Sequence, residues 1–325
     1  MTSIANNKQS GTIVLMSGHS ETGNVRSINQ DSFHVSKIAG GYLAIVADGM
    51  GGHKTGEVAS QKAVEIVRRE LSRNSKHPPT ALAKAIQTAN IEILDYAIEN
   101  PDHKGMGTTL TAVFIDDQIG FVAQIGDSRA YLIRDNQIHQ LTNDHSWVAE
   151  QVRQGILTQD EAQNHRMRNI ITNALGHSEE VKLDISHFEL KEGDKIFLCS
   201  DGISMLLDDN LINKIISNES PENAVSRLIL EANKRGSPDN ITATVLEVKQ
   251  LQRKQKKYNL PEVNKLKPTS VALGETMSGI DKIEDAFPKQ DLNSKLKRHP
   301  WYPYRLWILG SLYMILLIII LGQLR

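Results

Sequence analysis

The sequence predicts an α+β domain of antiparallel sheets with helices packed outside them, followed by a basic linker and one membrane-spanning helix. Three observations carry this. Apolar strand runs and helix pairs come in blocks rather than in strict βαβ alternation, which argues against a doubly wound nucleotide fold. Asp116-Asp117 and Asp135-Asn136 separate successive runs as hairpin turns do. Residues 306–322 are uncharged and nearly all apolar, at the short end of what a transmembrane helix needs.

Residues 12–48 read as strand material, with clear runs at 12–17 and at 42–47, the second ending in Asp48-Gly49. A helix follows over 56–71, with Val58, Ala59, Ala63, Ile66 and Val67 on one face. Pro78-Pro79-Thr80 punctuates the chain, and Thr80 is placed to cap a second helix reaching Glu99. Extended runs at 108–115, 119–125 and 130–133 come next. Residues 142–180 are polar with broken periodicity and read as an inserted flap. A strand at 195–199 ends at Ser200-Asp201-Gly202, and helices over 208–217 and 221–235 lead to a last strand at 241–248. The domain therefore spans 1–248; 249–305 is a linker without a core-forming pattern.

Composition narrows the function. The 325 residues hold 37 Lys+Arg against 38 Asp+Glu, a net charge of −1 that gives no reason to expect nucleic-acid binding. The balance hides an asymmetry: residues 249–300 carry 12 basic and 6 acidic side chains, so an acidic body precedes a basic stalk. The single cysteine, Cys199, excludes an intrachain disulfide framework and reads as a small buried strand residue. No apolar run near Met1 is long enough for a signal peptide, which makes the cytoplasm the default compartment. The loop Gly49-Met50-Gly51-Gly52-His53-Lys54-Thr55 fails as a phosphate loop, because His53 stands where glycine must precede the lysine.

Chemistry concentrates in five aspartates beside Gly or small turn residues: Asp31, Asp48, Asp127, Asp201 and Asp239. One such aspartate is ordinary turn chemistry. If the strands share sheets, several carboxylates converge at one edge and raise one another's pKa unless cations neutralise them. Oxygen ligands without clustered His or Cys select hard ions, magnesium or manganese. Two such ions activate water and clamp a phosphate.

The motifs resemble the metal-dependent protein phosphatase family, the protein phosphatase 2C-like serine/threonine phosphatases, in its bacterial form. In family order they are Gly23-x-Val25-Arg26-x-x-Asn29-Gln30-Asp31, Val46-Ala47-Asp48-Gly49-Met50-Gly51-Gly52-His53, Gly107-Thr108-Thr109 and Gly126-Asp127-Ser128-Arg129-Ala130-Tyr131. Leu141-Thr142-x-Asp144-His145-Ser146, Ile171-Thr172-x-Ala174-Leu175-Gly176, Ser200-Asp201-Gly202 and Asp239-Asn240 follow. The resemblance implies a four-layer α-β-β-α sandwich whose two antiparallel sheets enclose a metal cleft. It implies that Asp48 bridges two manganese or magnesium ions, with the Gly49 carbonyl, Asp201 and Asp239 completing the sites. Asp127 is implied for a third, weaker ion, Asp31 for orienting the metal-bridging water that attacks, and Arg26 for gripping the substrate phosphate. Met50 stands where animal members have a histidine general acid. His53 has two readings, a structural loop histidine or a replacement acid; Asp144-His145 reads as structural.

The function expected is a serine/threonine phosphoprotein phosphatase that opposes a protein kinase. A phosphatase for anti-sigma-factor antagonists is the rival within the chemistry, and Arg26 argues against it, since that class usually lacks the arginine. An inactive docking module is the rival outside it, and joint retention of Asp48, Asp201 and Asp239 argues against that. Trp301, Tyr302, Tyr304 and Trp307 cluster at one end of the 306–322 run, beside Lys295, Lys297, Arg298 and Arg305. Aromatic belts mark membrane interfaces and positive flanks stay inside. The chain is expected to meet membrane lipid through this helix, as a single-pass, C-terminally anchored protein with its catalytic domain in the cytoplasm.

Overall fold

The computed structural model describes residues 11–51 and 55–252. The chain opens with β1 (Ile13–Glu21), β2 (Asp31–Ile38) and β3 (Gly41–Met50), then two long helices, α1 (Thr55–Arg73) and α2 (Pro78–Glu99). Four strands follow the short β4 (Gly107–Thr108): β5 (Leu110–Asp116), β6 (Ile119–Ile125), β7 (Arg129–Arg134) and β8 (Gln137–Gln140). The flap holds α3 (Trp147–Arg153) and α4 (Gln159–Gln163), and the chain returns through β9 (Asp184–Glu189) and β10 (Lys195–Cys199). Helices α5 (Asp201–Ser204), α6 (Asp209–Asn218) and α7 (Pro221–Lys234) precede β11 (Ile241–Gln250).

Every strand pairing is antiparallel. One sheet runs β1-β11-β10-β7-β8; the other runs β2-β3-β5-β6-β9, with β4 on β3. Strand alternation separates three cores. Leu43, Ile45 and Ala47 of β3 pack with α1 and α2, while Tyr42, Ala44 and Val46 point into the layer between the sheets. In the other sheet Phe197 and Cys199 meet α5 to α7, and Ile196 and Leu198 face inward. Central strands are thus buried on both faces, which is why they read as unbroken apolar runs. The result is the α-β-β-α layering.

Several boundaries move. Thr80 lies inside α2 and caps nothing; Pro78 and Pro79 occupy the first turn, where proline's fixed φ suits the helix and its missing N–H costs no bond, and His77 stands at the cap. Asp116 is the last residue of β5, paired with Ile119, so the turn is Asp117-Gln118. Asp135-Asn136 is the turn expected, with φ of 52° and 58°, the left-handed pair that hairpin loops require. Cys199 is fully buried in β10. Strand β11 continues to Gln250, two residues past the boundary expected at 248.

Among the described residues no helix is long and apolar enough to cross a membrane. The 306–322 run, nearly all of the 249–305 linker, and His53 lie outside the described residues.

Candidate active site and metal centre

At one end of the inter-sheet layer the inward positions change from apolar to polar. Along β3 the series Tyr42, Ala44, Val46 continues into Asp48, and Asp31 sits directly opposite it on β2. The backbone of Asp48 is fixed by the Gly107-Thr108-Thr109 motif. Thr109 Oγ1 accepts from the Asp48 N–H at 2.9 Å, while Thr108 Oγ1 and the Thr109 N–H donate to the Asp48 carbonyl, each at 2.9 Å. Gly49 N–H donates to the Gln30 carbonyl at 3.0 Å. A Cβ on Gly49 would lie 2.0 Å from the Gly56 carbonyl oxygen, so no side chain fits beside Asp48.

Asp201 follows β10 in the first turn of α5, and Asp239 immediately precedes Asn240 and β11. The Asn240 amide staples the 22–30 loop onto this segment: Nδ2 donates to the Thr22 and Ile28 carbonyls at 3.1 and 3.0 Å, and Oδ1 accepts from Gln30 N–H at 2.8 Å. Gly23, at φ 72°, packs so closely on the Asp239 carbonyl that a Cβ would stand 2.1 Å from its oxygen. This docking delivers Arg26, whose guanidinium donates to Asp239 Oδ2 at 2.9 Å while half of its side chain stays exposed.

The five aspartates therefore share one cleft with Arg26 on its rim. Burial, then the charges of Asp31, Asp201, Asp127 and Asp239, push the Asp48 carboxyl well above the usual carboxylate range. Burial, then Asp127 and Asp239, do the same to Asp201. Asp127 is raised to about 7, by burial first and then by Asp144. Asp31 is raised to about 6 by burial, against the pull of hydrogen bonds from Ser200 and Thr242.

The donor set fits hard divalent cations. Oδ1 of Asp31, of Asp127 and of Asp201 is buried without a hydrogen-bond partner, which native interiors rarely leave uncompensated. A divalent ion would relieve both the orphaned oxygens and the mutual repulsion. Among the described residues no three His, Cys, Asp or Glu side chains already close around one point. Asp48, the Gly49 carbonyl, Asp201, Asp239 and Asp127 are the groups that could hold divalent ions here.

A pH dependence follows. The folded pKa values of Asp31 and Asp127 lie above the ordinary 3.8. Their stabilising contribution is therefore complete below about pH 4 and lost as pH rises through about 6 to 7. Chelated protein should melt at a lower temperature at pH 8 than at pH 5.5, and Asp127→Asn should flatten that slope in calorimetric scans. An equal slope in the variant would remove Asp127 from the cluster.

The flap is strapped to this cleft by groups read as structural, and they are structural here. Arg129 holds Asp144 through both carboxylate oxygens, at 2.7 to 3.0 Å. Buried His145 lies 2.9 Å through Nε2 from Asp184 Oδ2, and its Nδ1 accepts from Gly126 N–H at 3.2 Å and from Asn173 Nδ2 at 2.8 Å. Sequence reasoning passed over Ser20 and Thr242, and quoted Asn29 and Ser200 within motifs without giving them a role. Ser200 Oγ and Thr242 Oγ1 each donate to Asp31 Oδ2 at 2.6 Å. For Ser20 on β1 and Thr242 on β11 the available signal was a polar residue at an inward strand position, where the alternation calls for an apolar one.

Comparison with known proteins agrees with this geometry. Residues 18–244 match the protein phosphatase 2C family. The serine/threonine phosphatase stp of Listeria welshimeri is 36% identical over 234 residues, covering 70% of this chain and 93% of its own. The serine/threonine protein phosphatase PstP of Mycobacterium tuberculosis is 40% identical over 245 residues, covering 73% of this chain and 46% of its own. A crystal structure of the PstP catalytic domain in complex with two manganese ions superposes with a TM-score of 0.66 at 34% identity, covering 74% of this chain and all of that one. The layered sheets, the aspartate cleft and the match across 18–244 lead to one assignment: the chain belongs to the protein phosphatase 2C family.

Proposed function

We propose that this chain is a metal-dependent serine/threonine phosphoprotein phosphatase, hydrolysing phosphoserine and phosphothreonine to the alcohol and inorganic phosphate. The observation that carries the reading is the aspartate cleft with a half-exposed arginine at 2.9 Å from Asp239 on its rim. Divalent ions, when bound, supply charge neutralisation and the activation of water for in-line attack. The chain's own residues do the rest. Arg26 offers a planar fork to two phosphate oxygens. Asp31, with Oδ2 taken by Ser200 and Thr242, keeps Oδ1 for the proton side of the attacking water. Position 50 supplies no acid, since Met50 stands there. The test is manganese-dependent release of phosphate from a phosphothreonine peptide; release that persists in excess chelator would sink the reading.

Substrates of such an enzyme are made by a serine/threonine protein kinase, the counterpart it opposes. Residues 306–322 cross the membrane on this reading. At 1.5 Å per residue they cover about 25 Å, a shortfall that bilayer thinning and snorkelling of Arg305 and Arg325 absorb. The basic residues before the run keep the catalytic domain cytoplasmic. Full-length protein should pellet with membranes and need detergent for release, whereas a chain ending at Gln250 should stay in the supernatant and remain active. Full-length protein in the soluble fraction would refute the anchor.

A further inference from the structure

Asp31 is held by more than two hydroxyls. Thr242 Oγ1 donates its only proton to Asp31 Oδ2 at 2.6 Å, so the 2.7 Å contact between Thr242 and Ser20 has Ser20 as donor. Ser20 Oγ in turn accepts from Asn29 Nδ2 at 2.8 Å, and Asn29 Oδ1 accepts from the backbone N–H of Asp31 at 3.1 Å. The ring closes on Asp31 itself, and every proton in it has one direction. Ser200, the residue between β10 and α5, lies against the ring, donating to Asp31 Oδ2 and accepting from Thr242 N–H at 3.1 Å. Ser20 and Thr242 are register partners on β1 and β11, whereas Asp31 opens β2 in the other sheet. The ring therefore ties the two sheets together at the cleft. All of its bonds converge on Oδ2 and on the peptide, which leaves Oδ1 as the orphaned atom.

We propose that Thr242, backed by Ser20 and Asn29, is a positioning residue that orients the Asp31 carboxylate so that Oδ1 faces the attacking water. The inference rests on the reading that Asp31 serves that water. Thr242 touches neither Asp48 nor a phosphate-gripping group in the hydrogen-bond network, so its effect belongs on turnover rather than on metal or substrate affinity. Partners of this kind are typically worth roughly 10- to 100-fold.

The experiment compares Thr242→Val, Thr242→Ser and Ser20→Ala on full-length protein with a phosphothreonine peptide, beside calorimetric manganese titration and melting curves. Thr242→Val should lower kcat by roughly 10- to 100-fold, with KM and manganese affinity within about twofold. Thr242→Ser should recover most of that loss, because it restores the donor. Ser20→Ala keeps the Thr242 hydroxyl but frees its rotor, and should show a smaller fall in kcat; it also serves if Thr242→Val folds poorly. Wild-type kcat in Thr242→Val, failure of Thr242→Ser to rescue, or a parallel loss of manganese affinity would each overturn the proposal. Asp31→Asn separates the two levels. If it loses turnover while Thr242→Val does not, the positioning role fails alone; if Asp31→Asn turns over normally, the reading of Asp31 fails with it.

Discussion

Asp48→Asn should cost at least about 1,000-fold in kcat/KM at fixed manganese, equivalent to about 4 kcal/mol of transition-state stabilisation. It should also raise the melting temperature of the metal-free protein. Both effects have one cause. Asp48 is the carboxylate most surrounded by its own kind, with Asp31, Asp201, Asp127 and Asp239 all disfavouring its charge. Divalent ions turn that repulsion into attraction, so the charge is worth most when metal is present and is a liability when it is absent. Relief of about 1–2 kcal/mol in the chelated state corresponds to a rise of several degrees for a domain of this size. Asp239→Asn should weaken activity similarly but raise the metal-free melting temperature less, because Asp239 already has the Arg26 guanidinium at 2.9 Å. Scanning calorimetry with and without manganese distinguishes the two variants. A fall in metal-free stability for Asp48→Asn would contradict the electrostatic account.

Arg26→Ala should reduce kcat/KM for a phosphopeptide by roughly 30- to 1,000-fold, the cost of about 2–4 kcal/mol from losing a charged phosphate contact. Most of the loss should fall on KM. Lysine should not restore it, since a single ammonium cannot reproduce a two-pronged contact. The fold should be nearly indifferent: the Arg26 side chain is half exposed, and an ion pair of that kind contributes little. Steady-state kinetics and one melting curve decide it. An unchanged specificity constant would take Arg26 out of the site.

How much of this was legible follows from what each residue faces. Strands β3, β5, β6 and β10 announce themselves because both of their faces are buried. Strand β8 and most of β9 carry polar, partly exposed side chains and leave no such trace. Asp48, Asp127, Asp201 and Asp239 were legible because each closes an apolar run or sits in a turn, whereas Asp31, which opens β2, was legible through the Asn29-Gln30-Asp31 motif. The ring around Asp31 was not, because Ser20, Asn29 and Thr242 come together only once strands from opposite ends of the domain pair. Arg129 and Asp144 form a half-buried charge pair that no short-range pattern announces.

That pairing of distant strands governs how the molecule is made. Strand β1 lies beside β11, with Ile13 matched to Gln250, and the sheet that receives them is filled by β10, β7 and β8 from the middle of the chain. On the ribosome, β1 must wait for almost the whole domain before its edge is covered. The other sheet, β2 to β6, has mostly local pairings and can assemble early. Asp31 and Asp48 then wait on a half-built platform until Asp201, Asp239 and Thr242 arrive with the last strands. Long loops must close before those contacts form, which makes the final step the slow one. Catalytic competence therefore appears only at the end of folding, and a nascent chain stalled before β11 is synthesised without a functioning cleft.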